Sequence, residues 1–360
     1  MIHVKESLDA LPEYQAGRLG NPTAALAVGE TLLSSNELPF SPVTPVATAI
    51  HSAVASLNRY PSMSNDDLRH ALALRYGVKT EHVVVGCGGV EIGRLAAATV
   101  LDTADTVVFG TPSFQEYTIL CGIHGAIPVT VPLDDSSYDL NAISSNVSTR
   151  TRLVIICNPN NPTGTGVPTS HIEAFLHTVP DSVLVLIDEA YWEFTCEALG
   201  ESSVSLVAQW ENVVVLRSFS KAFGLAGLRV GYGICGSHGV ASAMRKMQLP
   251  FSVNSLASVA ALAALHNEAA MLGRVREIVR MRDALRDELV ALGYAVPPSY
   301  TNFLFLQGAS GLQFAVACEA ENIMLRRVGN LGVRITIGTE AENDRAIEVA
   351  RDVARGVERR

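Results

Sequence analysis

The chain has 360 residues, enough for one large domain and a smaller companion. Hydrophobic residues make up 48% and charged residues 18%, which excludes a disordered chain and requires a sizeable core. A formal net charge of −9 argues against a nucleic-acid partner, and no apolar run is long enough for a membrane span.

The opening segment, MIHVKESLDALPEYQAGR, carries acidic residues where a secretory leader has its apolar stretch, so a cytoplasmic protein is expected. Residues 1–40 are punctuated by Pro and Gly and weakly periodic, and read as an arm. TPVATAIHSAVASLN and DDLRHALALRYG follow as helices, the second starting at an Asn/Asp capping signal. Then come short β-branched runs: HVVVG, DTVVFG, IPVTVPL, RLVIIC, SVLVLID, NVVVLRS and RVGYGIC. Several are apolar throughout, as strands covered on both faces must be, and helical patterns at 91–101, 113–124 and 169–178 separate many of them. That alternation predicts an α/β fold with a mostly parallel sheet of seven strands over residues 41–255.

Beyond about residue 255 the texture changes. A long charged helix (EAAMLGRVREIVRMRDALRDELVALG) is followed by TNFLFLQ, a helix near 311–321, IMLRR, VRITIG and a last helix. This predicts a smaller α/β domain over 256–360. The six cysteines form no C-x-x-C pair and the nine histidines no ligand-spaced cluster. Buried, reduced thiols and no metal are expected.

Three segments carry chemistry. In SFSKAFGLAGLRVGYG, Lys221 stands alone in an apolar setting, where the charged amine is disfavoured and the neutral one becomes a nucleophile. An imine with a carbonyl is the natural use, and the commonest carbonyl cofactor is pyridoxal 5'-phosphate (PLP). Ser218 and Ser220 offer hydroxyls, and Arg229 a bidentate cation, for its phosphate. In VLIDEAYWEF, Asp188 ends an apolar strand, where open α/β sheets bind ligands; its carboxylate suits a pyridine nitrogen, and Tyr191 can donate to the ring's phenolic oxygen. CNPNNPTG follows another apolar strand, so Asn161 can reach the same oxygen from a rigid turn whose X-Pro bond is a candidate for the cis form.

The set N-P-T-G, D-x-x-Y and S-x-S-K-x-x-G-x-x-x-x-R resembles the class I and II aminotransferases of PLP fold type I. SSNELPF, NRYPS, VVVGCGGVE, PSFQEY and VRITIGTEAENDR resemble segments of the histidinol-phosphate aminotransferase branch, within it most of all those acting on aromatic amino acids such as phenylalanine. The resemblance implies that Lys221 carries PLP covalently and that the reaction is ping-pong transamination of an amino acid, with 2-oxoglutarate as acceptor. It implies that Gly88, Gly89 and Val90 offer backbone N–H groups to the phosphate at a helix start, that Phe114 stacks on the ring, and that Tyr60 reaches the phosphate in a partner subunit of a homodimer, against which the arm also packs. In the loop of Gly89 and Val90 members of that family often carry serine, alanine or aspartate, whereas these two residues lack any side-chain donor, and Phe114 stands where many carry tyrosine. Arg334, in an apolar strand, is expected to bind the substrate α-carboxylate, with Asn36 lining the same pocket.

Arg18, Arg326 and Arg327 are the candidates for a substrate phosphate if the donor is histidinol phosphate; an apolar pocket at Phe114 and the arm favours an aromatic donor. A PLP-dependent decarboxylase is a further alternative on the same scaffold. A PLP-sensing regulator would need a basic module ahead of this domain, for which there is no room.

Overall fold

The computed structural model describes residues 8, 11, 14 and 30–356. The apolar runs become β2 (Val83–Gly86), β3 (Thr106–Thr111), β4 (Ile127–Pro132), β5 (Thr151–Cys157), β6 (Leu184–Asp188), β7 (Val213–Ser218) and β8 (Gly231–Cys235). They form one sheet in the order β2-β8-β7-β6-β5-β3-β4, with β8 antiparallel to both neighbours and the other pairings parallel. Residues 153–156, 185–187 and 213–215 are entirely buried, as β-branched and leucine side chains on a sheet covered on both faces should be. Among the described residues no single helix is long and apolar enough to cross a membrane.

The reversed direction of β8 matters for the site. Ser218 at the end of β7 pairs with Gly231 at the start of β8, so the connection 219–230 leaves and re-enters the sheet at one edge. Lys221 and Arg229 are therefore both delivered to the edge where the parallel strands end. Gly231 also pairs with Gly86, just ahead of helix Gly88–Val100. A Cβ on Gly231 would lie 2.6 Å from the backbone of Gly88 and Gly89, so only glycine admits this close approach.

A second group of strands, β9 (Phe303–Gln307), β11 (Arg326–Val328) and β12 (Gly332–Thr336), forms an antiparallel sheet in the order β11-β12-β9. Helix Glu268–Ala291 buries Met271, Val275, Ile278, Met281, Arg282, Leu285 and Leu289 at three- and four-residue spacing. The end of the arm adds β1 (Thr31–Leu32), parallel to β10 (Ile323–Met324).

Three expectations need correction. The run IMLRR is not one strand: it divides at Leu325 because β10 pairs with the arm and β11 with β12. Asn65 does stand at the start of helix Asp66–Tyr76, but its side chain makes no capping bond. Its left-handed backbone (φ 51°) turns the amide away from the first-turn N–H groups. Among the cysteines, Cys196 is exposed and Cys87 half-buried, while the other four are buried, and burial pushes the Cys121, Cys157 and Cys235 thiols up to about 12.

Behind the site edge, the sheet is tied by a buried ion cluster. Arg217, one residue before Ser218, bonds Glu189 Oε2 at 2.7 Å and Glu193 Oε1 at 2.5 Å. Glu189, one residue after Asp188, also accepts from the Ser202 hydroxyl and the Ser203 N–H. The ends of β6 and β7 are thereby fixed relative to each other. Replacing one member strands buried charge, so Arg217→Met should lower unfolding free energy by about 3–5 kcal/mol in denaturant titration.

Candidate active site

The ends of β5, β6 and β7, the start of helix Gly88–Val100, the arm and β12 enclose a cavity of about 810 Å³. Lys221 projects into it. Its Nζ donates to the backbone oxygens of Asn36 (3.0 Å) and Ser35 (3.4 Å), and stands 5.6 Å from the centre of the Tyr191 ring. Burial lowers the amine to about 7; the positive fields of Arg334 and Arg229 add to this, while Glu37 and Asp188 oppose it. At neutral pH much of it is therefore uncharged.

Asp188 closes β6 and is 6% exposed. Its Oδ2 accepts from the Tyr117 hydroxyl at 2.8 Å and its Oδ1 from the Ala190 N–H at 3.0 Å. Burial raises the carboxyl above the usual range, against those two hydrogen bonds. Such a carboxylate gains from a cationic N–H partner in the cavity.

Asn161 and Arg334 meet across the cavity. The Arg334 guanidinium donates through NH1 to Asn161 Oδ1 at 2.5 Å and through NH2 to the Ser34 carbonyl at 2.7 Å. With Asn161 Oδ1 engaged, its amide nitrogen is the end left to donate. Arg334 Nε is buried with no hydrogen-bond partner, and no carboxylate among the described residues pairs with this side chain. A ligand carboxylate would answer that deficit. The Asn158–Pro159 and Asn161–Pro162 bonds of this turn are cis.

Ser218, Ser220 and Arg229 converge with the helix start. Ser218 Oγ accepts from the Ser220 N–H at 3.0 Å, and Arg229 NH1 donates to the Ala226 carbonyl at 2.9 Å and Ser220 Oγ at 3.4 Å. Gly88 adopts φ +80°, and a Cβ there would lie 2.7 Å from Arg229 NH2. The glycine thus lets the guanidinium sit directly over the helix N-terminus, with Gly89 and Val90 lining the cavity beside it. Backbone N–H groups, hydroxyls and a guanidinium around one space form a donor set for a phosphate.

Phe114 lines the cavity edge-on to Tyr117 (ring centres 5.7 Å apart, 90°) and to Tyr14 of the arm (6.2 Å, 77°). Arg326 and Arg327 lie at the rim, the latter paired with Glu319 at 2.7 Å. Tyr60 stays outside this chain's own cavity, exposed and stacked on Phe251 at 4.7 Å. Arg18 lies outside the described residues. Tyr117 and Tyr14 were missed by sequence reasoning. For Tyr117 a signal existed: it stands three residues after Phe114 at a helix start, where that spacing shares a face.

The sequence profile of the aminotransferase class I and II family matches residues 29–349. The chain belongs to that family, and its architecture is that of PLP fold type I. Among its relatives, the aromatic amino acid aminotransferase of Thermobifida fusca (strain YX) is 42% identical over 351 residues, covering 97% of this chain and 96% of the relative. That of Streptomyces coelicolor (strain ATCC BAA-471 / A3(2) / M145) is 40% identical over 351 residues and 97% of each chain. Among solved structures, the histidinol-phosphate aminotransferase of Sinorhizobium meliloti in complex with PLP superposes with a TM-score of 0.85 at 28% identity, covering 91% of this chain and 92% of that one.

Gly88→Ala tests the cradle. The added methyl must displace the Arg229 guanidinium, so affinity for PLP in equilibrium dialysis should fall by about tenfold or more while the circular dichroism spectrum stays native.

Proposed function

We propose that this aminotransferase takes the amino group from an aromatic L-amino acid and delivers it to 2-oxoglutarate, using PLP held at Lys221. The observation that carries the reading is the buried Lys221 amine, lowered to about 7, sharing one cavity with Asp188 and Arg334. An aromatic donor is supported by the names of the relatives at 40–42% identity. It is supported too by the edge-on rings of Phe114, Tyr117 and Tyr14.

When bound, PLP supplies an aldehyde carbon reactive toward amines and a pyridine ring that accepts electrons. Arg229, the Ser218 and Ser220 hydroxyls and the N–H groups of Gly88, Gly89 and Val90 bind its phosphate. Asp188, oriented by Tyr117 and Ala190, holds a proton at the ring nitrogen. Tyr191 and the amide nitrogen of Asn161 would donate to the phenolic oxygen, and Phe114 would contact the ring. Arg334 would bind the substrate α-carboxylate through guanidinium N–H groups not used by Asn161 and Ser34, with Asn36 beside it. Lys221 would hold the cofactor through its amine and, when that amine is free, would serve as the acid and base that moves the proton at the substrate α-carbon. Its lowered basicity suits that task near neutral pH.

The proposed organisation is an arm (1–40), a large domain (41–255) and a small domain (256–360), assembled as a homodimer in which Tyr60 reaches the partner's phosphate site. The exposed Tyr60–Phe251 stack is the surface that supports it.

Histidinol phosphate is the second donor with a specific observation behind it. Arg326 and Arg327 at the rim provide cations for a substrate phosphate. Steady-state kinetics separate the two: kcat/KM for phenylalanine should exceed that for histidinol phosphate by about tenfold or more. The reverse order identifies the phosphorylated donor. Lys221→Ala should abolish turnover with either one.

A further inference from the structure

A chain of buried hydrogen bonds joins the antiparallel sheet to the large sheet through the arm. Thr336 stands two residues after Arg334 on β12, on the same strand face. Its Oγ1 accepts the Asn36 backbone N–H at 2.9 Å and donates to Asn36 Oδ1 at 3.2 Å. The Asn36 amide nitrogen donates in turn to the Tyr191 hydroxyl at 2.8 Å. All three side chains are nearly inaccessible, at 3%, 1% and 4% exposure, so no solvent stands in for a lost partner.

The directions of these bonds are coupled. A side-chain amide has one accepting and one donating end, and a hydroxyl has one proton. With the Thr336 proton on Oδ1, the donating end of Asn36 faces Tyr191. The Tyr191 oxygen then accepts, and its own proton must point elsewhere. The Phe303 ring meets Tyr191 edge-on at 5.2 Å and offers no hydrogen-bonding oxygen or nitrogen, whereas on its other side Tyr191 lines the cavity. Without the Thr336 proton the amide is free to turn over. Oδ1 would then take the Tyr191 proton, and the cavity would lose a donor.

We propose that Thr336 is a positioning residue: by fixing the Asn36 amide, it commits the Tyr191 hydroxyl to donate into the cavity. This rests on the PLP reading above, in which the recipient is the phenolic oxygen of the cofactor. A donor at that oxygen stabilises the charge left when a neighbouring proton departs, so it holds down the midpoint of the pH-dependent absorbance change of the bound cofactor. The other groups facing Tyr191 are Arg334 from β12, Asp188 from β6, Cys157 from β5 and Lys221 from the 219–230 connection, and all are retained in the Thr336 variants.

The test is a spectrophotometric pH titration of the PLP-loaded protein. Thr336→Val, which keeps shape and removes the hydroxyl, should raise the midpoint by about one pH unit, the effect of one buried hydrogen bond. Thr336→Ser should stay at the wild-type midpoint. Tyr191→Phe should raise the midpoint, and adding Thr336→Val to it should raise it no further. A Thr336→Val protein that binds PLP and melts cooperatively but titrates like wild type overturns the proposal, as does an equal added shift in the Tyr191→Phe background. A Tyr191→Phe midpoint equal to wild type overturns it without reference to any Thr336 variant. If wild-type protein gives no PLP absorbance change at all, the cofactor reading itself fails, a result distinct from the others.

Discussion

Burying an amine beside two guanidinium groups is the constraint around which this molecule is organised. Lys221 shares its cavity with Arg229 and Arg334, and each positive neighbour makes a further ammonium charge harder to hold. Asp188 and Glu37 soften the field without cancelling it, and the backbone oxygens of Ser35 and Asn36 receive the amine. The result is a lysine whose amine loses its proton at about pH 7 and which is surrounded by groups that welcome anions. A cavity of that character suits the ligand proposed for it, which carries a carbonyl, a phosphate and, with the substrate, a carboxylate.

The fold supplies these groups from distant parts of the chain. One reversed strand, β8, returns Arg229 to the edge that Lys221 has just left, and Gly88 and Gly231 let two backbones and a guanidinium crowd together there. Residues 34–36 lie between Lys221 and β12, bonded to both, and Arg334 reaches the cavity from a separate sheet. On the far side, Arg217, Glu189 and Glu193 hold the ends of β6 and β7 in register without entering the cavity. Asp188 faces the cavity while Glu189, the next residue, joins the bracing cluster behind it.

Much of this was legible in the sequence, for identifiable reasons. Strands buried on both faces read as unbroken apolar runs, so the sheet from HVVVG to RVGYGIC could be anticipated. Asn161, Asp188, Lys221 and Arg229 stood out because a single polar group at the end of an apolar run needs a reason to be there, and Arg334 because it stands inside one. What escaped were relations between segments far apart. Asn36 and Thr336 lie 300 positions apart, and nothing local announces their bond. The pairing of Tyr117 with Asp188 and the division of IMLRR between two sheets depend likewise on partners brought in by the fold. The capping signal at Asn65 misled because residue type alone does not report the left-handed backbone there.

The central claim is that position 221 carries an amine that loses its proton at about pH 7 and faces a ligand cavity. Reductive trapping of PLP with borohydride across a range of pH, followed by peptide mapping, tests it most directly. The account predicts label on Lys221 and a trapping rate that rises through about pH 7, where the amine loses its proton. Label elsewhere in the chain, or a rate that climbs only toward about pH 10 as for an ordinary exposed lysine, would contradict it.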